Sequence, residues 1–164
     1  MNYADIKTID VANGIGIRVS LFVSGCNHKC KGCFNSEAWD FNYGNKFTLR
    51  NEFEIFKMLS KPYIKGLSVL GGEPLQQDKT LLAFLKKVKR LFPRKDIWLY
   101  TGYEYEEIKD RKELNYVDVL VDGRFMEEKK NISLRFRGSE NQRIIDVKET
   151  KAKGKIILCK EYMQ

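Results

Sequence analysis

The sequence has little sulfur and almost no imidazole: four cysteines and one histidine in 164 residues. A secreted disulfide scaffold would spread its cysteines in pairs along a shorter chain. Here three fall within eight positions and Cys159 stands alone near the end, so metal binding in a reducing compartment is expected instead. No apolar run reaches the length of a membrane span. The opening Met1-Asn2-Tyr3-Ala4-Asp5 lacks the basic start and apolar stretch of a secretory signal. A soluble, cytoplasmic protein with no membrane partner is therefore expected. There is no internal repeat, low-complexity segment or linker, and 43% hydrophobic residues suit one domain over 1–164 with a single core. A phosphate loop with Gly-Lys-Ser or Gly-Lys-Thr is missing. Gly14-Ile15-Gly16 lacks a third glycine and precedes a strand, so it is no dinucleotide fingerprint.

What is plentiful is positive charge, a net +8. The lysines are scattered, with runs no longer than pairs such as Lys86-Lys87 and Lys129-Lys130. A solvated basic surface accounts for this, while an acidic partner, a nucleotide or a nucleic acid is the sharper reading. Few aromatics interleave with the basic residues of the cysteine segment, which weakens a nucleic-acid partner.

Apolar runs alternate with amphipathic stretches. Strands are expected at 17–23, 67–70, 97–100, 117–121, 143–147 and 155–158. Thr48 reads as an N-cap before a helix with Leu49, Phe53, Phe56 and Leu59 on its apolar stripe. A second helix, 80–91, carries Leu81, Leu85 and Val88 inward, and a short one is expected over 104–111. Such alternation indicates parallel βαβ units. The fold class is α/β: an open, mostly parallel sheet or an incomplete (β/α) barrel, since a full barrel needs about 250 residues. Ligands collect at the carboxyl ends of such strands. Gly25-Cys26, Gly71-Gly72, Thr101-Gly102 and Asp122-Gly123 each follow an expected strand and would gather at one face.

The segment Gly25-Cys26-Asn27-His28-Lys29-Cys30-Lys31-Gly32-Cys33-Phe34-Asn35 spaces its thiols by three residues and then two. One loop at this spacing can wrap three thiolates around an inorganic cluster, with Gly32 relaxing the backbone before the last ligand. A 4Fe–4S cube normally takes four cysteines, so one iron would stay open. Two other readings remain: a zinc site completed by His28 or Cys159, and merely buried thiols. The first lacks two short ligand hairpins, and the second fits poorly with a polar, glycine-flanked loop. His28 reads as an exposed loop residue and Cys159, after Ile156-Ile157-Leu158, as a small core hydrophobe. Gly71-Gly72-Glu73-Pro74 follows a strand directly. Glycines there let backbone approach a ligand, and Glu73 is a candidate acceptor for a ligand ammonium.

Cys-x3-Cys-x2-Cys with a following aromatic, then Gly-Gly-Glu-Pro after the next strand, resembles the radical S-adenosylmethionine enzymes. That resemblance implies a radical SAM domain in which Cys26, Cys30 and Cys33 hold a 4Fe–4S cluster. It also implies that S-adenosyl-L-methionine chelates the open iron, Gly71 and Gly72 receive its amino group, and Phe34 lies near its adenine. Asn13-Gly14-Ile15-Gly16-Ile17-Arg18 resembles the opening of glycyl-radical activating enzymes. Residues 119–125 and the run Arg137-Gly138-Ser139-Glu140-Asn141-Gln142-Arg143 are similar to the activating proteins of anaerobic ribonucleoside-triphosphate reductase. Ile15 and Arg124 depart from the family, which often has proline at both places. The implied activity is reductive cleavage of the cofactor to a 5′-deoxyadenosyl radical, which removes a hydrogen atom from a glycine of the reductase. A reductant such as flavodoxin would supply the electron. The candidate cofactor-binding set is Gly32, Cys33, Phe34, Gly71, Gly72, Glu73, Thr101 and Asp122, with Arg124 beside it and Arg137 and Arg143 binding cofactor, partner or solvent. The alternatives are another radical SAM activase, a small-molecule radical enzyme, and a zinc-bearing nucleic-acid-binding module.

Overall fold

A computed structural model describes residues 1–163. Seven strands form one sheet: β1 (Asn2–Asp10), β2 (Ile17–Val23), β3 (Asn45–Lys46), β4 (Ile64–Gly71), β5 (Asp96–Tyr100), β6 (Val119–Asp122) and β7 (Arg143–Asp146), in the order β3-β1-β2-β4-β5-β6-β7. The middle four, β2, β4, β5 and β6, run parallel. Both flanks are antiparallel, β1 on β2 and β7 on β6. The helices are α1 (Leu49–Leu59), α2 (Lys79–Leu91), α3 (Tyr105–Ile108) and α4 (Val147–Lys153).

Side chains alternate across the sheet, as the pleat requires. On one face Val19, Leu21, Leu67, Val69, Ile97, Leu99 and Leu120 pack against Ile55 and Leu59 of α1 and Leu81, Phe84, Leu85 and Val88 of α2. On the other, Trp98 packs with Val121, Ile144 and Cys159. Along β5 the switch is residue by residue: Ile97 and Leu99 lie in the first cluster, Trp98 in the second and Tyr100 against it. Beneath this second face lies Arg18, fully buried. Its guanidinium donates to Ser68 Oγ at 2.8 Å and to the carbonyls of Ile15 and Leu67, pairs with Asp96, and stacks 5.5 Å from the Trp98 ring. A charge so placed is tolerated because every direction is answered by an acceptor or a ring face.

Several sequence expectations are corrected. β1 is a full strand where none was expected, because its residues do not alternate cleanly. Residues 143–147 form not a parallel strand but the antiparallel β7, and its last residue, Asp146, caps α4 by accepting from Glu149 N. The stretch 155–158 is not a strand; it contributes one bridge, Leu158 to Ile145. The 104–111 helix shrinks to four residues. On α1 the buried positions are Glu52, Ile55 and Leu59, while Leu49 and Phe53 are 74% and 71% exposed. Of the expected stripe, Leu59 is buried and Phe56 packs against the core as expected, whereas Leu49 and Phe53 face outward and Glu52 turns inward, its carboxylate taking a hydrogen bond from Lys87 of α2 at 2.9 Å.

Candidate functional site

The loops after β2, β4, β5 and β6 surround a cavity of about 450 Å³. Its wall includes Cys26, Cys30, Cys33 and Phe34 from the first loop, the Gly71-Gly72-Glu73 turn, Thr101-Gly102, and Gly123. The carboxyl-end rule thus brings these motifs together as expected.

The cysteine loop is seated by backbone. Gly25 N donates to Ala38 O at 2.7 Å and Cys26 N to Trp39 O at 3.0 Å, while Gly72 N and Glu73 N donate back to Val23 O and Gly25 O at 2.7 and 2.8 Å. Gly71 and Gly72 are glycines for a steric reason. A Cβ on Gly72 would stand 2.5 Å from the carbonyl oxygen of Gly25, and Gly71, at φ +105°, would place one 2.7 Å from Val23 N. Backbone lies on backbone there, and no side chain fits between. Gly32 takes φ +75°, the left-handed turn that delivers Cys33.

Glu73 is buried and its carboxylate is spoken for. Oε1 is 2.8 Å from His28 Nε2 and takes the Gly102 N–H at 2.7 Å; Oε2 takes the Leu75 N–H at 2.9 Å; Thr101 Oγ1 lies 2.9 Å from both oxygens. Glu73, the expected acceptor for a ligand ammonium, ties three loops to one another. His28 is likewise not an exposed loop residue: its side chain is buried, edge-on to Tyr103 at 4.6 Å. Neighbouring glutamines extend the tie, with Gln76 accepting from Asn27 N and donating to Tyr103 Oη, and Gln77 donating to Ser24 O.

Asp122 does not reach the cavity wall. Being the next residue after Val121, which does line it, Asp122 falls on the opposite side of β6. Its two oxygens receive Arg143 at 3.0 and 2.6 Å and Tyr105 N at 2.8 Å. Arg143 is thereby accounted for as a tie between β6, β7 and Glu106. Arg124 is exposed, whereas Arg137 borders the cavity and donates to the carbonyls of Glu140 and Gln142.

The three loop cysteines are free thiols, each partly accessible. Burial pushes the Cys26 and Cys30 thiols up from their ordinary range, so binding a metal there would release protons. Cys159 lies in the second core cluster and not on the cavity wall, its thiol pushed up to about 12 by burial. His28 Nε2 is committed to Glu73. Among the described residues, no three His, Cys, Asp or Glu side chains close around a single metal ion. The donor set is three sulfurs bordering one roomy cavity, a wall that fits a cluster larger than one ion. Two further cavity-lining groups, Trp39 Nε1 and Tyr100 Oη, are buried without a hydrogen-bond partner, as expected of a wall built for a polar guest. Tyr100 is raised above its usual range by burial.

This wall of thiols and glycines is that of an iron–sulfur protein: a family model described as "4Fe-4S single cluster domain" matches residues 12–145. The chain is 46% identical over 148 residues to the anaerobic ribonucleoside-triphosphate reductase-activating protein of Enterobacteria phage T4, covering 88% of this chain and 93% of the relative. It is 47% identical to the protein of that name from Haemophilus influenzae and 40% identical to that of Escherichia coli K12, each over 87% of this chain and 96% of the relative. The chain belongs to the family of anaerobic ribonucleoside-triphosphate reductase-activating proteins.

Proposed function

We propose that this protein activates an anaerobic ribonucleoside-triphosphate reductase by placing a glycyl radical on it, through reductive cleavage of S-adenosyl-L-methionine at a 4Fe–4S cluster. The observation that carries this reading is the meeting of three free thiols and the Gly71-Gly72 turn on one cavity wall. Cys26, Cys30 and Cys33 would hold the cluster, leaving one iron without a side-chain ligand. When bound, the reduced cluster and S-adenosyl-L-methionine supply a 5′-deoxyadenosyl radical able to take a hydrogen atom from a glycine α-carbon.

The chain's own residues do the rest. Gly71 and Gly72 let the turn lie directly against the backbone of Val23 and Gly25, beside the cysteines. Gly32 turns the loop so that Cys33 and Phe34 face the same space. Glu73, with His28 and Thr101, fixes the loops relative to one another and acts as a positioning residue. Phe22, Leu70 and Val121 line the deeper wall with apolar surface, which excludes water from reactive species. A glycine is a suitable target because its backbone enters where a side chain would collide. We read the four parallel strands, with α1 and α2 packed on one face, as an incomplete (β/α) barrel of the radical SAM type. A flavodoxin-like donor is the proposed source of the electron.

The test is anaerobic reconstitution with iron and sulfide. The expected product is brown, holds about four irons per chain, cleaves S-adenosyl-L-methionine when reduced, and produces a glycyl radical signal by electron paramagnetic resonance once the reductase is added. Alanine at Cys26, Cys30 or Cys33 should abolish cleavage, and Cys159→Ala should not. Zinc bound without sulfide, or cleavage without any glycyl signal, would overturn the assignment.

A further inference from the structure

After the last cysteine of the loop the chain doubles back on the first. One turn of 3₁₀ helix, Ser36–Trp39, makes the return. At its start Asn35 N donates to Cys33 Sγ at 3.4 Å. At its end the carbonyls of Ala38 and Trp39 accept from Gly25 N at 2.7 Å and Cys26 N at 3.0 Å. The turn is a strap between the two outer thiols of the loop, and main-chain bonds fix Trp39 beside Cys26.

Trp39 borders the cavity together with Cys26, Cys30 and Cys33. Its Nε1 is buried and has no hydrogen-bond partner in the protein. An indole N–H can only donate, and burying one unanswered is costly. Packing alone would be served by phenylalanine, which has no N–H to leave unanswered. The missing acceptor is therefore to be sought in what the cavity holds. A neutral thiol is a weak acceptor, which is why free cysteines nearby do not satisfy the indole. A sulfur that carries negative charge, as a metal-bound thiolate or an inorganic sulfide does, is a strong one.

We infer that Trp39 donates its indole N–H to a sulfur of the cluster on the Cys26 side and so raises the cluster's reduction potential. The inference rests on the cluster proposed above for Cys26, Cys30 and Cys33. Adding an electron makes the sulfurs more negative, so a donor fixed against one of them favours the reduced state. Hydrogen bonds to sulfur are among the features that set such potentials. The strap makes the donor a fixed one, because Trp39 cannot move away without breaking the main-chain bonds that seat Gly25 and Cys26. The Asn35 N–H and the Trp39 indole then serve two sulfurs from the two ends of one turn. With the potential raised, a milder reductant suffices to deliver the electron.

The experiment uses the reconstituted holoprotein, without S-adenosyl-L-methionine, and the variant Trp39→Phe, which keeps an aromatic ring and removes the N–H. Iron and sulfide content should match. The reduction equilibrium, followed by titrating the electron paramagnetic resonance signal of the reduced cluster, should shift about tenfold against reduction in the variant, which for one electron is about 59 mV. The unaltered protein is also prepared with tryptophan carrying heavy nitrogen in its indole, and its reduced cluster should show a nitrogen hyperfine coupling. Trp98, the other tryptophan, does not line the cavity, so the coupling reports Trp39. An unchanged potential at full iron content overturns the inference. So does a missing coupling, which decides the matter even where Trp39→Phe does not fold. So does weaker binding of S-adenosyl-L-methionine at unchanged potential, because that would assign the N–H to the cofactor. Failure of the unaltered protein to take up iron and sulfide sinks the cluster reading and this inference together, whereas a cluster with neither shift nor coupling sinks this inference alone.

Discussion

His28 and Glu73, forty-five residues apart, meet through a 2.8 Å hydrogen bond with both side chains buried. The contact links the loop carrying the cysteines to the turn carrying the glycines. Because the same carboxylate also holds Thr101 and Gly102, three strand ends share one acceptor. Glu73→Gln keeps the size but turns half of that acceptor into a donor facing the Thr101 and Gly102 groups. It should destabilise the metal-free protein by about 2 kcal/mol, read as a lowered urea midpoint at constant slope. An unchanged midpoint would mean that the loops are held together by something else.

Gly72→Ala should be worse than its size suggests. The added carbon would stand 2.5 Å from the Gly25 carbonyl oxygen, and backbone on both sides leaves little room to yield. A loss of about 1–3 kcal/mol is expected, accompanied by a lower iron content after reconstitution. Full iron loading at unaltered stability would contradict the close backbone contact.

Arg18→Met removes a guanidinium whose partners are Ser68, Asp96 and two carbonyls. Those acceptors would remain, most of them in buried surroundings, so the variant should lose about 3 kcal/mol. Asp96→Asn should recover part of this in the double mutant, since it removes the charge left behind. Strict additivity of the two changes would show that the pair is not coupled.

On α1, Ile55→Ala should cost about 3 kcal/mol, whereas Phe53→Ala should stay within about 0.5 kcal/mol of the unaltered protein. The reverse order would restore the face read from hydrophobic spacing alone.

That comparison shows where the sequence was readable. The parallel centre of the sheet, the helix 80–91 and the clustering of Gly25-Cys26, Gly71-Gly72 and Thr101-Gly102 at one end all followed from runs of apolar residues and the glycines that stop them. The flanks did not. β1 carries Asp5, Lys7 and Asp10 among its apolar residues, and its register shifts twice along β2, so no period marks it. The first half of the α1 face, Leu49 and Phe53, was misread because a buried glutamate, Glu52, looks like a surface residue until its partner, Lys87, is seen on another helix. His28, Gln76 and Gln77 bear no local mark at all. Their importance comes from contacts between segments tens of residues apart, and Asp122 was misplaced because strand alternation sends it away from its neighbour Val121.

Cys159 supplies a chemical check on the metal-free protein. Burial raises its thiol to about 12, so an alkylating reagent should modify the three partly accessible loop cysteines in the folded protein and the fourth only after denaturation, as counted by mass spectrometry. The sign of the pH effect follows from the same shift. An unfolded thiol ionises near 9 while the folded one stays neutral, so this residue's contribution to stability is intact below that pH and declines as pH rises towards 12. Rapid modification of all four in the folded state would place Cys159 outside the core.

The seating of the cysteine loop through main-chain bonds to residues 38 and 39 and to the glycine turn also bears on upkeep. A finger held together by its zinc collapses when the ion leaves; this loop is moored by its own peptide groups. Cofactor lost to oxygen could then be refitted into a chain that never came apart, making repair a matter of supply, with no need to refold.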